Sequence, residues 1–384
     1  MIKFWSYKAE YKKYKKVLLR NIDKTISKGE IFFGKQIETF EKKFIKKYKA
    51  KYGIAVGSGT EALMISLKTL NLKPGDEIIT AANTAIPTIS AIINAGGTPR
   101  LVDIGEDYLL DVKKIEKEIN SKTRAIIPVH LYGQMCDMDF IVKIAKKYKI
   151  IIIEDCAQSQ GAIYKKKYSG TIGKFGCFSF YPTKILGAYG DGGFIVTNDL
   201  KAFKQIKRLR FYGIETVEKN KYKNQYYACE NGLNSRLDEV QATILNFKLN
   251  RVNSFINKRR NLAKKYMTKL ANTSLTTIYT VPTAKTAIIK SIRVANEDTS
   301  NDCNITVTLV DTGSVIYMLE KDRTIQAKRS QELLATGNMA QDSADSSVAG
   351  PTPLIAKESE IIKAQAENAN DLSIIISVLE ISDV

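Results

Sequence analysis

Short apolar runs alternate with amphipathic stretches up to about residue 270, and each run ends in a turn or a polar residue. The runs predict strands, and the stretches between them, such as 60–70 and 137–149, have the apolar spacing of helices. Nearly continuous apolar strands separated by helices favour an α/β fold whose mostly parallel sheet is covered on both faces. The seven predicted strands are 54–58, 77–81, 99–104, 125–130, 150–155, 177–181 and 194–198.

The pattern changes after a long amphipathic stretch at 235–270. That stretch contains no proline or glycine and predicts one continuous helix. From Leu275 onward the segments alternate or run apolar between polar turns, which predicts an all-β region. We therefore expect two domains: an α/β domain at 1–274 that includes the long helix, and a β-sandwich-like module at 275–384.

The composition is that of a globular protein, with 44% hydrophobic and 26% charged residues. No apolar stretch approaches the roughly 18 residues of a membrane span, and the first residues lack the apolar core of a signal peptide. We therefore expect a cytoplasmic protein with no membrane partner. The five cysteines are an odd number and never closer than 20 residues, which indicates neither a disulfide framework nor a zinc site, and we expect no metal.

The formal net charge of +19 raises the question of a nucleic-acid partner. The positive charge lies in residues 1–274, whose balance is +25, whereas residues 275–384 carry −6. Lysine supplies 47 of the 59 basic residues, and most are scattered through helix-like stretches. Nucleic-acid recognition favours arginine forks or clustered basic patches with aromatic platforms, and neither pattern is present in the sequence. We interpret the charge as a lysine-rich solvated surface and expect no nucleic-acid partner.

Two segments that follow predicted strands carry chemistry typical of a ligand site. The segment GSGT (57–60) opens a helix, where free backbone N–H groups suit a phosphate. A serine or threonine before a helix is more often only an N-cap. Glu154 and Asp155 end the most apolar strand, at the edge where α/β sheets bind ligands. A carboxylate that merely caps the next segment is an equal alternative.

A third segment contains Lys184, which lies just past an apolar strand and before a glycine-rich turn at 187–193. A lysine held in such a turn, next to Pro182, is a candidate for a desolvated amine that acts as a Schiff-base nucleophile. The alternative is an ordinary surface lysine, one of 47. His130, the only histidine in the sequence, is interpreted as a positioning or packing residue rather than a base.

Seven motifs follow one another along the α/β region: VGSGTEAL, PGDEIIT, AIIPVHLYGQMCDMD, IIEDCAQSQGA, FSFYPTK, GDGGFIVTND and NSRLDEVQATIL. Together they resemble the nucleotide-sugar aminotransferases of the DegT–StrS family, which are pyridoxal-phosphate enzymes of fold type I. The resemblance covers about 34–270, and NSRLDE and YGDGG are most similar to members that aminate the 3-keto carbon of a dTDP-linked 6-deoxyhexose. It implies transamination of such a nucleotide sugar with L-glutamate as amino donor, in deoxyamino-sugar or polysaccharide biosynthesis.

The resemblance implies three roles close to the reacting atoms. Lys184 would form the Schiff base with pyridoxal 5'-phosphate and, once released by the amino donor, would move the proton between substrate and cofactor carbons. Asp155 would pair with the pyridine nitrogen and keep the ring protonated, so that it accepts electrons. Gln158 would hydrogen-bond the ring hydroxyl.

The resemblance also implies how the cofactor phosphate is held. Gly59, Thr60 and Ser179 would bind the phosphate, and Asn234 would reach it from a neighbouring subunit, so that the active site requires a homodimer. Apart from the resemblance, Arg236 is a candidate for contact with the carboxylate of a glutamate donor. The alternative for Arg236 is a plain helix salt bridge.

Two departures from the family pattern produce a competing hypothesis. Ala85 stands where the family has an aromatic residue that stacks on the cofactor ring, and the family's carboxy-terminal small domain does not follow the long helix. From about Ser274 the chain instead loosely resembles β-rich structural or tail-associated proteins of bacteriophages. The alternative is therefore a phage-encoded structural or surface protein that carries a truncated, inactive aminotransferase-like domain.

Overall fold

The computed structural model describes eleven stretches of the chain: 7–105, 107–214, 227–269, 276–281, 285–296, 303–310, 316–325, 330–332, 354–356, 361–366 and 372–382. Contacts divide the molecule into two compact units, Tyr7–Ile256 and a second unit drawn mainly from Asn257–Val384. The predicted domain division at 274 and 275 stays a prediction.

The first unit alternates helices and strands. Its helices are α1 (Tyr7–Ile26), α2 (Lys35–Tyr48), α3 (Gly59–Lys68), α4 (Ile86–Asn94), α5 (Val112–Glu118), α6 (Met138–Tyr148), α7 (Leu200–Leu209), α8 (Glu239–Leu249) and α9 (Val252–Tyr266), the last of which runs on beyond Ile256. Its strands are β1 (Tyr52–Val56), β2 (Glu77–Ala81), β3 (Thr98–Val102), β4 (Thr123–Ile127), β5 (Ile151–Asp155), β6 (Ile163–Tyr164), β7 (Lys167–Tyr168), β8 (Phe175–Ser179) and β9 (Gly193–Thr197). A 3₁₀ turn at Leu131–Gly133 precedes α6.

Among the described residues, seven of these strands form one sheet in the order β1-β9-β8-β5-β4-β2-β3. Strand β9 is antiparallel to both of its neighbours, and every other pair in the sheet is parallel. The central strands are buried almost throughout, as expected for a sheet with both faces covered. The prediction of a mostly parallel, seven-stranded α/β sheet is confirmed.

An aromatic cluster packs α2 against the β8–β9 side of the sheet. Phe44 lies at its centre, fully buried, with ring centroids 4.3 Å from both Tyr48 and Phe194 and 5.1 Å from Phe178. Burying each such side chain stabilises the fold by roughly 1.5–3 kcal/mol. The cluster therefore fixes α2 on the same strands that carry the candidate site.

A buried carboxylate joins α2 to α8. Glu239, the first residue of α8, is fully buried and accepts hydrogen bonds from the N–H groups of Gly34 (2.8 Å), Gln36 (2.8 Å) and Ile37 (3.2 Å). The first N–H groups of a helix have no partner within the helix, so a carboxylate supplied from elsewhere in the chain caps α2.

The predicted single helix at 235–270 is wrong in its bounds. Asp238 accepts a hydrogen bond from the N–H of Gln241, so the first helix begins at Glu239 rather than at Ser235. A turn at 250–251 then separates α8 from α9, and β10 begins at Met267. Neither boundary interrupts the apolar periodicity of the sequence. The first is set by the side chain of Asp238, and the second is a turn that contains no glycine or proline.

The remaining strands, β10–β18, pair only in antiparallel fashion among the described residues. One sheet has the order β10-β18-β12-β15 with β16 paired to β12, and another has the order β11-β17-β13-β14. Assembly of these sheets into a β-sandwich-like module stays a prediction. The strands are β10 (Met267–Lys269), β11 (Thr276–Thr280), β12 (Lys285–Asn296), β13 (Cys303–Val310), β14 (Ile316–Ile325), β15 (Ser330–Glu332), β16 (Leu354–Ala356), β17 (Ile361–Ala366) and β18 (Leu372–Ser382).

Within the described stretches, the helices all fall short of the combination of length and apolar character that a bilayer crossing demands.

The substitution Glu239→Gln tests the cap on α2. The amide nitrogen cannot accept a hydrogen bond, so at least one buried N–H of α2 loses its partner, and we expect the free energy of unfolding to fall by about 1–3 kcal/mol. Urea denaturation measures the change. Glu38→Gln, on the exposed side of the same helix, is the control and should leave stability nearly unchanged. Equal stability of the two variants would contradict the capping role.

Candidate active site

The register of four strands brings separate segments to one edge of the sheet. Gly193, at the start of β9, lies opposite both Val56 at the end of β1 and Ser179 at the end of β8. In the neighbouring strand β5, the terminal Asp155 lies opposite Cys177 of β8. Strands β1, β5 and β8 therefore end together, and the carboxyl edge of such a sheet is where α/β folds bind ligands.

Asp155 is a buried acid at this edge, with 5% of its surface exposed. Its Oδ2 accepts a hydrogen bond from the hydroxyl of Thr88 (2.8 Å), and its Oδ1 accepts one from the N–H of Ala157 (3.1 Å). Burial raises the pKa of Asp155, while these two donors and the positive charge of Lys184 act in the opposite direction. The carboxylate therefore depends on its donors to remain ionised.

Glu154 has a different task, because successive side chains of a strand point to opposite faces. It is fully buried and accepts hydrogen bonds from the N–H groups of Gly170 (2.9 Å), Ile172 (2.7 Å) and Gly173 (2.6 Å). The Nε2 of His130 lies 3.0 Å from the same carboxylate. His130 Nδ1 accepts from the N–H of Cys136, so Nε2 carries the proton and donates to Glu154.

The side chains of His130, Glu154 and Cys156 place potential metal-ligand atoms within 4.8 Å of one another. Both oxygens of Glu154 already accept N–H hydrogen bonds, and His130 uses both ring nitrogens. The group is therefore a structural network that ties β5 to the segment 170–173. This position agrees with the interpretation of His130 as a positioning residue.

Lys184 lies in the turn that follows β8, with its N–H donated to the carbonyl of Tyr181 (2.8 Å). Its side chain is half-buried, and burial lowers the pKa of its amine, against the opposing effect of Asp155. An amine with a lowered pKa is unprotonated, and so nucleophilic, in a larger fraction of molecules. The structure thus brings the charges of the predicted nucleophile and the predicted ring acid into interaction.

Gln160 clamps the segment that carries Lys184. It is 2% exposed, and its Nε2 donates to the carbonyl of Ser179 (2.5 Å) while its Oε1 accepts from the N–H of Leu186 (3.0 Å). One side chain therefore fixes the backbone on both sides of the lysine turn. Sequence reasoning did not single out Gln160, although it lies two residues beyond Gln158.

The amino terminus of α3 meets the end of β8 at very short range. A Cβ on Gly59 would lie 2.6 Å from the Cβ of Ser179, and one on Gly193 would lie 2.2 Å from the carbonyl oxygen of Ser58. Glycine is therefore needed at both positions. Gly59 and Thr60 are the first two residues of α3, whose initial N–H groups have no partner within the helix. Three of the predicted phosphate-binding residues are adjacent at a site suited to an anion.

The other two predicted cofactor residues occupy the periphery of this edge. Gln158 is half-buried, and its Oε1 accepts from the N–H of Tyr132 (3.2 Å). Asn234 is exposed and lines a depression together with Gly57, Ser58 and Arg236 of its own chain. The roles predicted for both residues stay predictions.

Arg236 is held by aromatic rings. Its guanidinium carbon lies 4.5 Å from the ring centroid of Phe32 and 5.6 Å from that of Phe211. In the part of the chain that the structure describes, no carboxylate forms an ion pair with it, so the predicted helix salt bridge is not formed there. The two aromatic contacts hold the guanidinium at a depression that the carboxylates Glu61 and Asp191 also line.

Thr88 is a further residue that sequence reasoning missed. It lies on α4 and is 1% exposed, on the same helix face as the buried Ala91 and Ile92. A hydroxyl at the first position of an apolar i, i+3, i+4 face is the one signal that the sequence offered for it. Its contact with Asp155 spans 67 residues of chain, which no local pattern reveals.

A family model described as the DegT/DnrJ/EryC1/StrS aminotransferase family matches residues 13–316. The match extends on both sides of the stretch 34–270 in which the motifs were found. A curated relative, the dTDP-3-amino-3,4,6-trideoxy-alpha-D-glucose transaminase of Micromonospora megalomicea subsp. nigra, is 40% identical over 270 residues, which are 70% of each chain.

Two solved structures share the fold. One, of Streptomyces venezuelae DesV in complex with a ketimine intermediate, has a TM-score of 0.65 and 35% identity over 73% of this chain and 74% of its own. The other, of NtdA from Bacillus subtilis with bound cofactor PMP, has a TM-score of 0.57 and 33% identity over 67% of this chain and 60% of its own. The first of these likenesses confirms the predicted fold type I.

The substitution Gln160→Met tests the clamp on the lysine turn. Methionine has a similar size but leaves the Ser179 carbonyl and the Leu186 N–H without their partner, so the free energy of unfolding should fall by about 1–3 kcal/mol. A looser turn exposes Lys184 to water, and the pKa of its amine should rise towards its ordinary value. The pH dependence of amine labelling at Lys184, read by peptide mass spectrometry, measures this shift. Gln134→Met, at an exposed position, should change neither quantity; the same result for Gln160→Met would refute the clamp.

Proposed function

The chain belongs to the DegT/DnrJ/EryC1/StrS aminotransferase family, and we propose that it transfers the amino group of L-glutamate to the 3-keto carbon of a dTDP-linked 6-deoxyhexose. It is a sugar aminotransferase that uses pyridoxal phosphate. The choice of a 3-keto sugar rests on the relative that is named a dTDP-3-amino sugar transaminase and is 40% identical. The product would enter deoxyamino-sugar or polysaccharide biosynthesis.

The observation that carries the proposal is the convergence of a nucleophile, an acid and an anion site at one edge of the sheet. Lys184 and Asp155 interact through their charges, and Gly59 packs directly on Ser179. This set fits pyridoxal phosphate, which needs an amine for its aldehyde, an acid for its ring nitrogen and N–H donors for its phosphate. When bound, the cofactor supplies an aldehyde that condenses with amines and a ring that accepts electrons from carbon.

The chain's own residues would divide the remaining work. The buried carboxylate of Asp155 would hold a proton on the ring nitrogen, and its hydrogen bonds and the nearby positive charge of Lys184 oppose the rise in its pKa that burial causes. Lys184, free once the amino donor has replaced it, carries the proton between the two reacting carbons as acid and base. The N–H groups of Gly59 and Thr60 and the hydroxyl of Ser179 hold the phosphate, and Gln158 contacts the ring hydroxyl.

The preference for glutamate rests on Arg236. A guanidinium that contacts the ring faces of Phe32 and Phe211 would still have N–H groups for a bidentate contact with a carboxylate. Among the described residues no carboxylate forms an ion pair with it, and the amino donor would compete there with Glu61 and Asp191, which line the same depression.

The competing phage hypothesis gains no support from the reported likenesses, all of which are to aminotransferases. A cytoplasmic location and the absence of a nucleic-acid partner remain expectations from the sequence. The homodimer is part of the proposal, because Asn234 is expected to complete the phosphate site of a second subunit.

The substitution Lys184→Ala tests the proposed reaction. The wild-type protein should retain cofactor at Lys184 after borohydride reduction and should convert L-glutamate to 2-oxoglutarate when supplied with a dTDP-3-keto-6-deoxyhexose. The alanine variant should lose turnover by at least about a thousandfold, since both the amine and the proton carrier are gone. Lys201→Ala, at an exposed position of α7, should match the wild type. Wild-type protein that ignores added cofactor would instead support the inactive structural protein.

Mixed dimers test whether Asn234 acts across the subunit interface. Co-expressed Lys184→Ala and Asn234→Ala subunits with different tags would be purified as the heterodimer. If Asn234 acts in the partner's site, one of the two sites contains both residues, and activity should return to about half of the wild-type value. If Asn234 serves its own chain, neither site is intact, and the heterodimer should remain as weak as the two homodimeric variants.

A further inference from the structure

We propose that the hydroxyl groups of Thr84 and Thr88 form a donor chain that orients Asp155 and holds it as a carboxylate, which makes both threonines positioning residues for transamination. The inference rests on the proposed function for its consequence. Its geometry stands independently, because the three side chains are linked without any bound molecule.

The direction of the hydrogen bonds follows from a count of hydrogens. Thr88 Oγ1 lies 2.8 Å from Asp155 Oδ2 and 2.8 Å from Thr84 Oγ1. A carboxylate only accepts, so the single hydroxyl hydrogen of Thr88 is donated to Asp155. The oxygen of Thr88 then accepts the hydroxyl hydrogen of Thr84. The two hydroxyls point the same way, and each bond polarises and strengthens the next.

The location of Thr88 explains why this contact is effective. Thr88 is 1% exposed and Asp155 5% exposed, so little water competes for the carboxylate. Hydrogen bonds to a charged group are stronger than those between neutral groups and are stronger still where water is excluded. Thr84 is only half-buried, so its hydroxyl links the buried pair to the outer part of the segment that precedes α4.

Several other groups also influence the ionisation of Asp155, and the contribution of the threonines is additional to theirs. Burial favours the protonated acid, whereas the N–H of Ala157 and the charge of Lys184 favour the carboxylate. The titratable groups that face Asp155 from the neighbouring elements are Lys184, His130, Cys156 and Cys177. His130 is already engaged by Glu154, so Thr88 is the side-chain donor that contacts Asp155 directly among the described residues.

Packing alone gives no reason for a hydroxyl at this position. Ala91 and Ile92 occupy the same buried face of α4, and valine has nearly the shape of threonine. A valine would fill the same space and would leave one oxygen of Asp155 without its donor. The threonine is therefore explained by its hydrogen bond and not by its volume.

Three variants distinguish the effect of hydrogen-bond donation to Asp155 from the effect of packing: Thr88→Val, Thr88→Ser and Thr84→Val. In full-length protein without cofactor, carbon-13 NMR of labelled aspartate gives the pKa of Asp155, with Asp155→Asn as the assignment control. Thr88→Val removes a hydrogen bond to the charged form, so the pKa should rise by about 1–2 units. Thr88→Ser keeps the donor and should restore the wild-type value, while Thr84→Val should raise the pKa by a smaller amount.

The same variants should change how pyridoxal phosphate binding depends on pH. A raised pKa means that Asp155 is protonated over a wider acidic range, so the affinity of Thr88→Val should decline at a higher pH than that of the wild type. At a pH between the two pKa values we expect affinity to fall by about tenfold, and Thr88→Ser should bind as the wild type does.

An unchanged pKa in Thr88→Val, or a serine variant that behaves like the valine variant, would overturn the donor chain. If Thr88→Val does not fold, the smaller shift in Thr84→Val decides, and its absence would equally overturn the inference. A wild type that binds no cofactor would refute the proposed function, and the NMR shift would still decide the donor chain.

Discussion

The buried carboxylate of Glu154 is the contact on which this edge of the sheet depends. A charge at that depth is tolerated only when hydrogen bonds surround it, and here backbone N–H groups of the segment 170–173 and the ring of His130 supply them. The segment 170–173 leads directly into β8. Strand β5 and the start of β8 are therefore locked together, and the position of Ser179 at the end of β8 follows from that lock.

Close backbone approach completes the edge. The carbonyl of Ser58 passes so near Gly193 that a side chain there would collide with it, and Gly59 meets Ser179 in the same way. These two glycines let α3 begin directly over the end of β8 and the start of β9. With side chains there the helix terminus would have to move away by roughly 1–2 Å, since ordinary Cβ contacts lie at 3.4–4 Å. The anion site thus depends on the strand register and on glycine at positions 59 and 193.

The sequence predicted the sheet well because its strands are short, apolar and bounded by turns. It failed on 235–270, where the carboxylate of Asp238 starts a helix and a turn without glycine or proline divides the stretch. The candidate site also contains residues that the sequence revealed and residues that it did not. Residues inside contiguous motifs, such as Lys184, were visible in the sequence. Thr88 lies outside the seven motifs, and Gln160 lies within one of them without any sign of its role. Both roles depend on contacts made only in the folded chain, with partners that follow no periodic pattern.

Burial has opposite consequences for Lys184 and Asp155, the nucleophile and the acid of the candidate site. It lowers the pKa of Lys184, which favours the nucleophilic amine, and it raises the pKa of Asp155, which favours the neutral acid. Transamination requires the first effect and is hindered by the second. Hydrogen bonds act against the second effect, because Asp155 receives the N–H of Ala157 and the hydroxyl of Thr88. Hydrogen-bond donors directed to the acid therefore oppose the effect of burial on Asp155, whereas at Lys184 burial outweighs the opposing charge of Asp155.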